Sequence, residues 1–176
     1  MSELMKSTGL SKGAFYHHFT SKEQLYNEAM SKYLITYFDE IKHDYLPELS
    51  LRENLKRIIE AFSKLADDFK HAIDNDDSGL GVYLLYIQTT IANPEFKRKL
   101  SAYHSKFFKL LESWFRNAQA NNEIKSELDP ILLARHISAL MEGLYVLDSF
   151  GLYSQSLAEN FNAIIDQFFE QIETDT

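Results

Sequence analysis

Apolar residues recur at helical spacing along most of the chain, and this periodicity is the strongest constraint on its fold. Four helix-start signals divide the pattern, each a capping side chain followed by a glutamate three residues later or by a proline. They are Ser50 with Glu53, Asn93-Pro94, Asp129-Pro130, and Ser156 with Glu159. Three prolines and six glycines in 176 residues also favour helices over a turn-rich β fold. We therefore predict an all-α protein.

The start signals and the apolar stripes together predict where the helices lie. We expect helices at 21–45 (opened by a Ser21–Gln24 capping box and ended by Pro47), from Ser50, at 81–92, at 94–121, from Pro130 to Gly151, and from Ser156. The segment 81–92 is apolar on nearly all sides, which predicts a fully buried helix. We find no flexible linker, so the helices form one continuous body.

The segment from Gly9 to Glu23 differs from an ordinary core helix because one of its sides is polar and aromatic. Leu10, Phe15 and Phe19 fall on one helical face. The opposite side carries hydroxyls, imidazoles and a lysine without any acidic residue, which suits phosphates and base edges. Gly9 can end a short preceding helix in the left-handed conformation. Helix, glycine turn and helix predict a helix-turn-helix whose second helix enters the major groove of DNA.

The same residues resemble the TetR family of bacterial transcription regulators, through the runs Gly9–Phe19 and Ser21–Leu25. The resemblance implies a helix-turn-helix tip joined by a long helix to a helical-bundle body that binds a ligand and dimerises. The domains would be 1–45 for DNA binding and 46–176 for ligand binding and dimerisation. By resemblance, the DNA contacts are Ser11, Lys12, Gly13, Tyr16, His17, His18 and Lys22. We expect Tyr16 and Lys22 to hold phosphates, and Lys12 and His17 to reach base edges.

The resemblance implies a ligand-responsive DNA-binding regulator, a repressor that leaves a near-palindromic operator when a small molecule binds. The family places a further helix before this motif, and the chain begins at Met1 without it. The alternative is therefore a dimeric small-molecule-binding module with impaired DNA binding, because that helix normally packs on Leu4, Met5, Phe15 and Phe19. An amphipathic helix encoded upstream of Met1 would favour the regulator.

Charge and composition indicate where DNA would approach the chain and in which cellular compartment we expect it. The first 32 residues carry four lysines and three glutamates, a formal charge of +1, so the remainder holds −9 of the total −8. An acidic body would direct DNA towards the amino-terminal tip. The chain has no cysteine, which excludes disulfides and thiolate metal sites. No apolar run approaches a membrane span and no signal segment appears, so we predict a cytoplasmic protein without a membrane partner.

Catalytic and metal-binding patterns are incomplete. Glu40-x-x-His43 is half of a di-iron ligand set, and no second such pair is present. His17 and His18 are adjacent, so on a helix they point about 100° apart and cannot share one metal. The acidic segment 74–79 lacks the spacing of a calcium loop. With no nucleophile elbow or phosphate-binding loop either, we predict no enzyme, no metal and no cofactor.

Aromatic residues make up 14% of the chain and have two possible explanations. They can fill an ordinary helical core, which would account for most of them. Buried tyrosines, however, need partners for their hydroxyls, and together with histidines they suit a ligand cavity. The family resemblance favours a cavity for an effector of unknown identity. The candidates are Phe62, Tyr83, Tyr86, Tyr103, His104, Phe107, His136 and Met141.

The last two helices have more apolar positions than one core-facing stripe requires. Phe168 and Phe169 are adjacent, so they cannot both face one core. In the family, these two helices form a four-helix dimer interface. We therefore expect a homodimer through Leu140, Leu144, Leu147, Phe161, Ile165, Phe168 and Phe169.

Overall fold

The computed structural model describes residues 6, 9, 11–40, 45–73 and 80–174. Within these ranges the chain forms seven helices. They are α1 (Lys12–His18), α2 (Lys22–Glu40), α3 (Leu51–Ile73), α4 (Leu80–Ala92), α5 (Pro94–Ala120), α6 (Pro130–Ser149) and α7 (Leu157–Ile172). An isolated antiparallel bridge between Ile124 and Glu173 is the β pairing in the described part of the chain. The predicted all-α fold is confirmed.

The four helix-start signals of the body act as predicted. The Asn93 side chain accepts a hydrogen bond from the N–H of Phe96, and the Asp129 side chain accepts one from the N–H of Ile131. Reciprocal hydrogen bonds between serine and glutamate open α3 and α7. Gly151 follows the end of α6 with a φ of +67°, the left-handed conformation expected after a helix.

The start and the end of α2 differ in detail from the prediction. The Ser21 hydroxyl accepts from the N–H of Gln24 at 3.1 Å, as expected of a cap. The Gln24 side chain, however, accepts from the N–H and the hydroxyl of Thr20 rather than from Ser21. The described helix ends at Glu40 and Tyr45 is not helical; its ring packs 5.3 Å from that of Trp114.

The core lies among α3, α5, α6 and α7. Helix α5 packs along α6, and α3 packs along α7, because each turns an apolar stripe towards its neighbour. The largest fully buried side chains of this core are Leu51, Leu55, Ile58, Ile59, Leu111, Trp114, Phe115, Ile124, Phe161 and Phe169. The tip joins this body through α2, which contacts α4 and α5.

The prediction that 81–92 forms a fully buried helix is wrong. Helix α4 covers this segment, but the side chain of Leu84 is 48% exposed and that of Ile91 is 78% exposed. Helices α2, α3, α5 and α6 contact α4 without surrounding it, so part of its apolar surface stays in solvent. Apolar composition therefore does not establish burial here.

Helix α6 needs a second correction. By length and composition it is the one described helix long and apolar enough to cross a membrane, so the statement that no apolar run approaches a span is too strong. Leu133, Ile137 and Leu144 of this helix belong to the protein core. Core helices commonly pass the same test of length and composition.

Candidate functional site

The inner side of α1 is fixed by a cap and by aromatic packing. The hydroxyl of Ser11 accepts a hydrogen bond from the N–H of Ala14 at 3.1 Å and so starts the helix. Phe15 is only 1% exposed, and its ring lies 5.6 Å from that of Phe19. Gly9 has a φ of +69°, the left-handed conformation predicted for the turn. Leu10, the third residue of the predicted apolar face, lies outside the described residues.

All seven residues predicted to contact DNA are exposed, six of them on α1 or at its cap and Lys22 at the start of α2. Tyr16 is 52% exposed, and its ring meets the buried ring of Phe15 edge-on at 5.1 Å. The imidazoles of His17 and His18 are both exposed, with centroids 5.0 Å apart and planes at 73°, so the two rings face different directions. The exposed predicted residues are Ser11, Lys12, Gly13, Tyr16, His17, His18 and Lys22.

Gly13 is not required by the packing of the chain itself. A Cβ atom added there would meet nothing nearer than the Ser11 hydroxyl, at 3.9 Å, an ordinary van der Waals contact. Its backbone is helical and does not need a left-handed φ. Neither the packing nor the backbone conformation of the chain requires glycine here. The missing side chain leaves the backbone of α1 exposed at this position.

A cavity of about 530 Å³ opens between α3, α4, α5 and α6. Its volume lies within the range of about 300–1,000 Å³ that drug-sized ligands occupy. Six of the eight predicted ligand residues line it: Phe62, Tyr86, Tyr103, His104, Phe107 and Met141. The rings of Tyr103 and Phe107 are nearly parallel, at 4°, and form part of its wall.

Two predicted ligand residues do not line this cavity. The ring of Tyr83 lies 6.5 Å from that of Tyr145, and His136 is exposed on a different side of α6. Arg135, one residue earlier and so rotated by about 100° around the helix, faces the cavity instead. The lining residues not predicted from the sequence are Ile58, Phe108, Arg135, Ser138, Ala139 and Glu142. The spacing of the last four along one side of α6 is the signal that was available in the sequence.

Glu142 lines the cavity, and its carboxylate contributes to the pKa shifts of two nearby phenols. Burial raises the pKa of Tyr86, and the nearby Glu142 carboxylate raises it further. Burial, with the same carboxylate as the next cause, raises the pKa of Tyr145 to about 12. Both phenols therefore stay protonated and keep their O–H donors at physiological pH. The Ser138 hydroxyl already donates to the carbonyl oxygen of Ala134, at 3.0 Å.

Part of the predicted dimer interface belongs to the core of the protomer. Leu144, Phe161, Ile165 and Phe169 are buried among α3, α5, α6 and α7, so they have no surface to offer a second copy. The apolar spacing shows that these residues avoid solvent. It does not show whether they pack in the protomer core or against a second copy, which depends on how the helices pack. Of the other three, Leu147 is exposed, while Leu140 and Phe168 are partly buried.

The side of α6 that adjoins the cavity lining is exposed and weakly polar, and Ala139 belongs to both. Positions spaced by three, four and seven residues fall on it, which places them in one line along the helix. They are Leu132, His136, Ala139, Gly143, Leu147 and Phe150, and all six are exposed. Nothing lies within 4 Å of a Cβ atom added at Gly143, so this part of the surface is open and flat. We name these six residues the α6 outer face.

Metal ligation has no support among the described residues, where no three histidine, aspartate or glutamate side chains are grouped closely enough to hold an ion. Two sequence candidates cannot be placed: the segment 74–79 and His43 lie outside the described residues.

Comparison with known proteins places this geometry in context. Residues 1–29 match the family described as bacterial regulatory proteins, tetR family. This segment contains α1 and the exposed side chains around it. The amino-terminal segment of the chain is therefore similar to the DNA-binding part of this family. A comparison with curated proteins finds no match.

Solved structures, among them two TetR transcriptional regulators, share the fold over nearly the whole chain. A regulator from Chloroflexus aurantiacus J-10-FL is 20% identical, with a TM-score of 0.63 over 99% of this chain and 85% of its own. PfmR from Thermus thermophilus is 20% identical, with a TM-score of 0.63 over 95% and 85%. Reduced NemR from E. coli is 20% identical, with a TM-score of 0.61 over 100% and 88%.

The match of residues 1–29 and the shared fold together support a DNA-binding transcription regulator, with a helix-turn-helix carried by a helical body. Homodimers and small-molecule effectors are typical of the family.

Proposed function

We propose that this chain is a ligand-responsive, homodimeric repressor that releases its operator when a small molecule fills the cavity between α3 and α6. The observation that carries the proposal is the outer side of α1. Lysine, tyrosine and two imidazoles are exposed there around a glycine, and no carboxylate lies between Gly9 and Glu23. As a DNA-binding regulator, the chain would act in the cytoplasm and without catalysis.

The contacts on DNA divide by their position on the tip. Lys12 and His17 lie on α1, the helix that we propose enters the major groove, so we assign them to base edges. Lys22 begins α2, where backbone N–H groups also favour a phosphate, and exposed Tyr16 offers a phenol. Ser11, Gly13 and His18 complete the proposed contact surface.

The α6 outer face supports a homodimer. Leu132, Leu147 and Phe150 supply apolar area, while Ala139 and Gly143 allow a second helix to approach closely. A twofold pair would present two copies of α1 to successive major grooves, as a near-palindromic operator requires. Leu140 of α6 and Phe168 of α7 are partly buried in the protomer, and we propose that their remaining surface completes the interface.

Helices α4 and α5 line the cavity and also contact α2, so they can transmit an effect of a bound ligand to the tip. Helix α4 provides Tyr86 and α5 provides Tyr103 to the cavity wall, and both helices also contact α2. A ligand that favours one arrangement of α4 and α5 therefore favours one position of α2. Its effect is limited by its preference between the two arrangements, about 1–3 kcal/mol in typical cases.

Fluorescence anisotropy tests the proposal. The protein is titrated into labelled DNA from its own promoter at a fixed salt concentration, with unrelated DNA of the same length as the control. We expect tight binding to the promoter only, and release when a cavity ligand is added. Equal affinity for both DNAs would contradict sequence-specific regulation, and a ligand that binds the protein without changing its DNA affinity would contradict ligand response.

A further inference from the structure

Helix α5 concentrates positive charge in an acidic protein. Residues 94–120 hold six lysines and arginines against two glutamates, a formal charge of +4, so the rest of the chain holds −12 of the total −8. Both glutamates pair within the helix, Glu95 with Lys99 at 3.1 Å and Glu112 with Arg116 at 2.7 Å. Most of the positive charge on α5 is therefore not neutralised by the helix itself.

One side of α5 combines these cations with small residues. Its positions are spaced by three, four and seven residues and fall within about 100° of the helix circumference. They are Arg98, Ala102, Ser105, Lys106, Lys109, Ser113 and Arg116, and all seven are exposed. We name these residues the α5 basic face. It extends about 27 Å along the helix and contains no acidic and no large apolar side chain.

Three cations of this face have no ion-pair partner in the part of the chain that the structure describes. They are Arg98, Lys106 and Lys109, whereas Arg116 is held by Glu112. Ala102, Ser105 and Ser113 lie between them, and these short side chains leave the helix surface low. The face therefore offers positive charge at intervals along an open, shallow helix surface.

The α5 basic face leads away from the tip of the molecule. Phe19 of the tip lines one recess together with Glu95 and Lys99, so the first turns of α5 lie beside the tip. The other end of α5 lies near the far end of α2, because the ring of Trp114 packs 5.3 Å from that of Tyr45. A duplex held by α1 would therefore adjoin the Arg98 end of the face and not its whole length.

We propose that the α5 basic face binds an acidic helix of a partner protein. The small residues allow a second helix to approach to the usual interaxial distance of about 8–10 Å. Arg98, Lys106 and Lys109 then reach carboxylates spaced along the side of that helix. A face of about 27 Å matches about 18 residues of partner helix. This assignment goes beyond the proposed function and does not depend on it, since neither α1 nor the α6 outer face takes part.

Other anionic partners fit this face less well. Proteins that bind single-stranded nucleic acid stack the bases on aromatic side chains, and the face has none. A helix that lies on a membrane buries an apolar side, which the face also lacks. A small anion needs cations that converge, whereas Arg98 and Lys109 are about 16 Å apart along the helix.

Three dye-labelled helical peptides of about 20 residues test the proposal. The first carries about five glutamates along one side, at the spacing of helical neighbours. The second carries the same glutamates distributed around all sides, and the third has glutamine in their place. Anisotropy follows binding to the whole protein without DNA. We expect the one-sided peptide to bind at least about fivefold more tightly than the second and about tenfold more tightly than the third.

Two double variants separate the face from the charge of the protein as a whole. Lys106→Gln with Lys109→Gln should weaken binding of the one-sided peptide about fivefold. Lys64→Gln with Lys97→Gln removes the same charge from exposed positions outside the face and should change binding by less than about twofold. Lys97 is a close match because it also stands on α5, on a different side. Circular dichroism of both variants verifies the fold.

Three results would overturn the proposal. The first is equal affinity for the one-sided and the distributed peptides, which would show attraction to net charge alone. The second is equal loss of affinity in the two double variants. The third concerns unrelated duplex DNA, titrated in parallel. If the change at Lys106 and Lys109 weakens DNA binding and leaves peptide binding intact, the face belongs to nucleic acid and not to a protein helix.

Discussion

The carboxylate of Glu123 accepts a hydrogen bond of 2.7 Å from the backbone N–H of Leu51, 72 residues earlier in the chain. The bond gives the first residue of α3 a partner for its N–H from the loop between α5 and α6. The same loop is tied to the end of α7, because the N–H of Lys125 donates to the carbonyl oxygen of Ile172 at 2.9 Å. One short segment therefore joins the ends of three core helices.

Glu123→Ala should lower the free energy of unfolding by about 1–3 kcal/mol, because it leaves the N–H of buried Leu51 without its acceptor. Urea unfolding at a matched protein concentration measures the change. Glu127→Ala, at an exposed position of the same loop, is the control and should change stability by less than about 0.5 kcal/mol. Equal losses in the two variants would show that the hydrogen bond to Leu51 contributes nothing.

Gly13→Ala should separate folding from DNA binding. The added methyl group meets only ordinary contacts within the chain, so stability should stay unchanged or rise by up to about 1 kcal/mol. Promoter affinity should fall about tenfold, since the methyl group would stand between α1 and the DNA. Thermal unfolding and anisotropy measure the two quantities. Unchanged DNA affinity would exclude close approach of DNA at Gly13.

Lys12→Ala and Lys22→Ala should weaken DNA binding in different ways. Loss of a base contact at Lys12 should narrow the difference between promoter and unrelated DNA. Loss of a phosphate contact at Lys22 should weaken both DNAs alike and reduce the slope of log affinity against log salt by about one unit. Titrations of both DNAs at several salt concentrations distinguish the two patterns. The assignment is wrong if both variants lose specificity equally.

Gly143→Glu should convert the proposed dimer to monomers, because it places an uncompensated charge in the middle of the α6 outer face. Sedimentation equilibrium should then give one protomer mass of 20.5 kDa instead of twice that value. Ala102→Glu introduces the same charge at an exposed position of α5 and is the control. A variant at Gly143 that stays dimeric would move the interface to another surface.

The two capping boxes at Ser50 and Ser156 should contribute to the loss of folding stability at acid pH. Hydrogen bonds from Ser50 and Ser156 hold the pKa values of Glu53 and Glu159 below their ordinary value of 4.5. A lowered pKa in the folded state gives stability that is present above the ordinary pKa and lost as the pH falls through the lowered one. The double variant Glu53→Gln with Glu159→Gln should therefore be less stable near neutral pH, and this difference should shrink towards about pH 3. Urea midpoints across that range measure it, and a constant difference would contradict the prediction.

Local features of this fold were predictable because short-range contacts decide them. The caps at Asn93, Asp129 and Ser156 each depend on residues within four positions, and all three formed as predicted. The exposed side of α1 could also be predicted from the sequence, because Phe15 and Phe19 determine which side packs inward. Most of the aromatic cavity wall followed from tyrosines and phenylalanines that recur at helical spacing on α3, α4 and α5.

The rest depended on how each helix is rotated in the bundle, which spacing alone does not give. Arg135 and His136 are neighbours in sequence, and packing decides that the first faces the cavity. Leu144 belongs to the core while Leu147, three residues on, is exposed, although both fit one apolar stripe. The exposure of Ile91 has the same origin, because composition cannot show how many neighbours a helix has.

The length of α2 determines how far a small tilt of this helix would displace the tip. Its 19 residues span about 28 Å, with Lys22 at the end nearest the tip. A tilt of about 10° around its far end would displace Lys22 by about 5 Å, more than the roughly 3.4 Å between successive nucleotides of one strand. In the proposed regulator, a helix of this length would turn a small movement in the body into a loss of register on the duplex, without unfolding any helix.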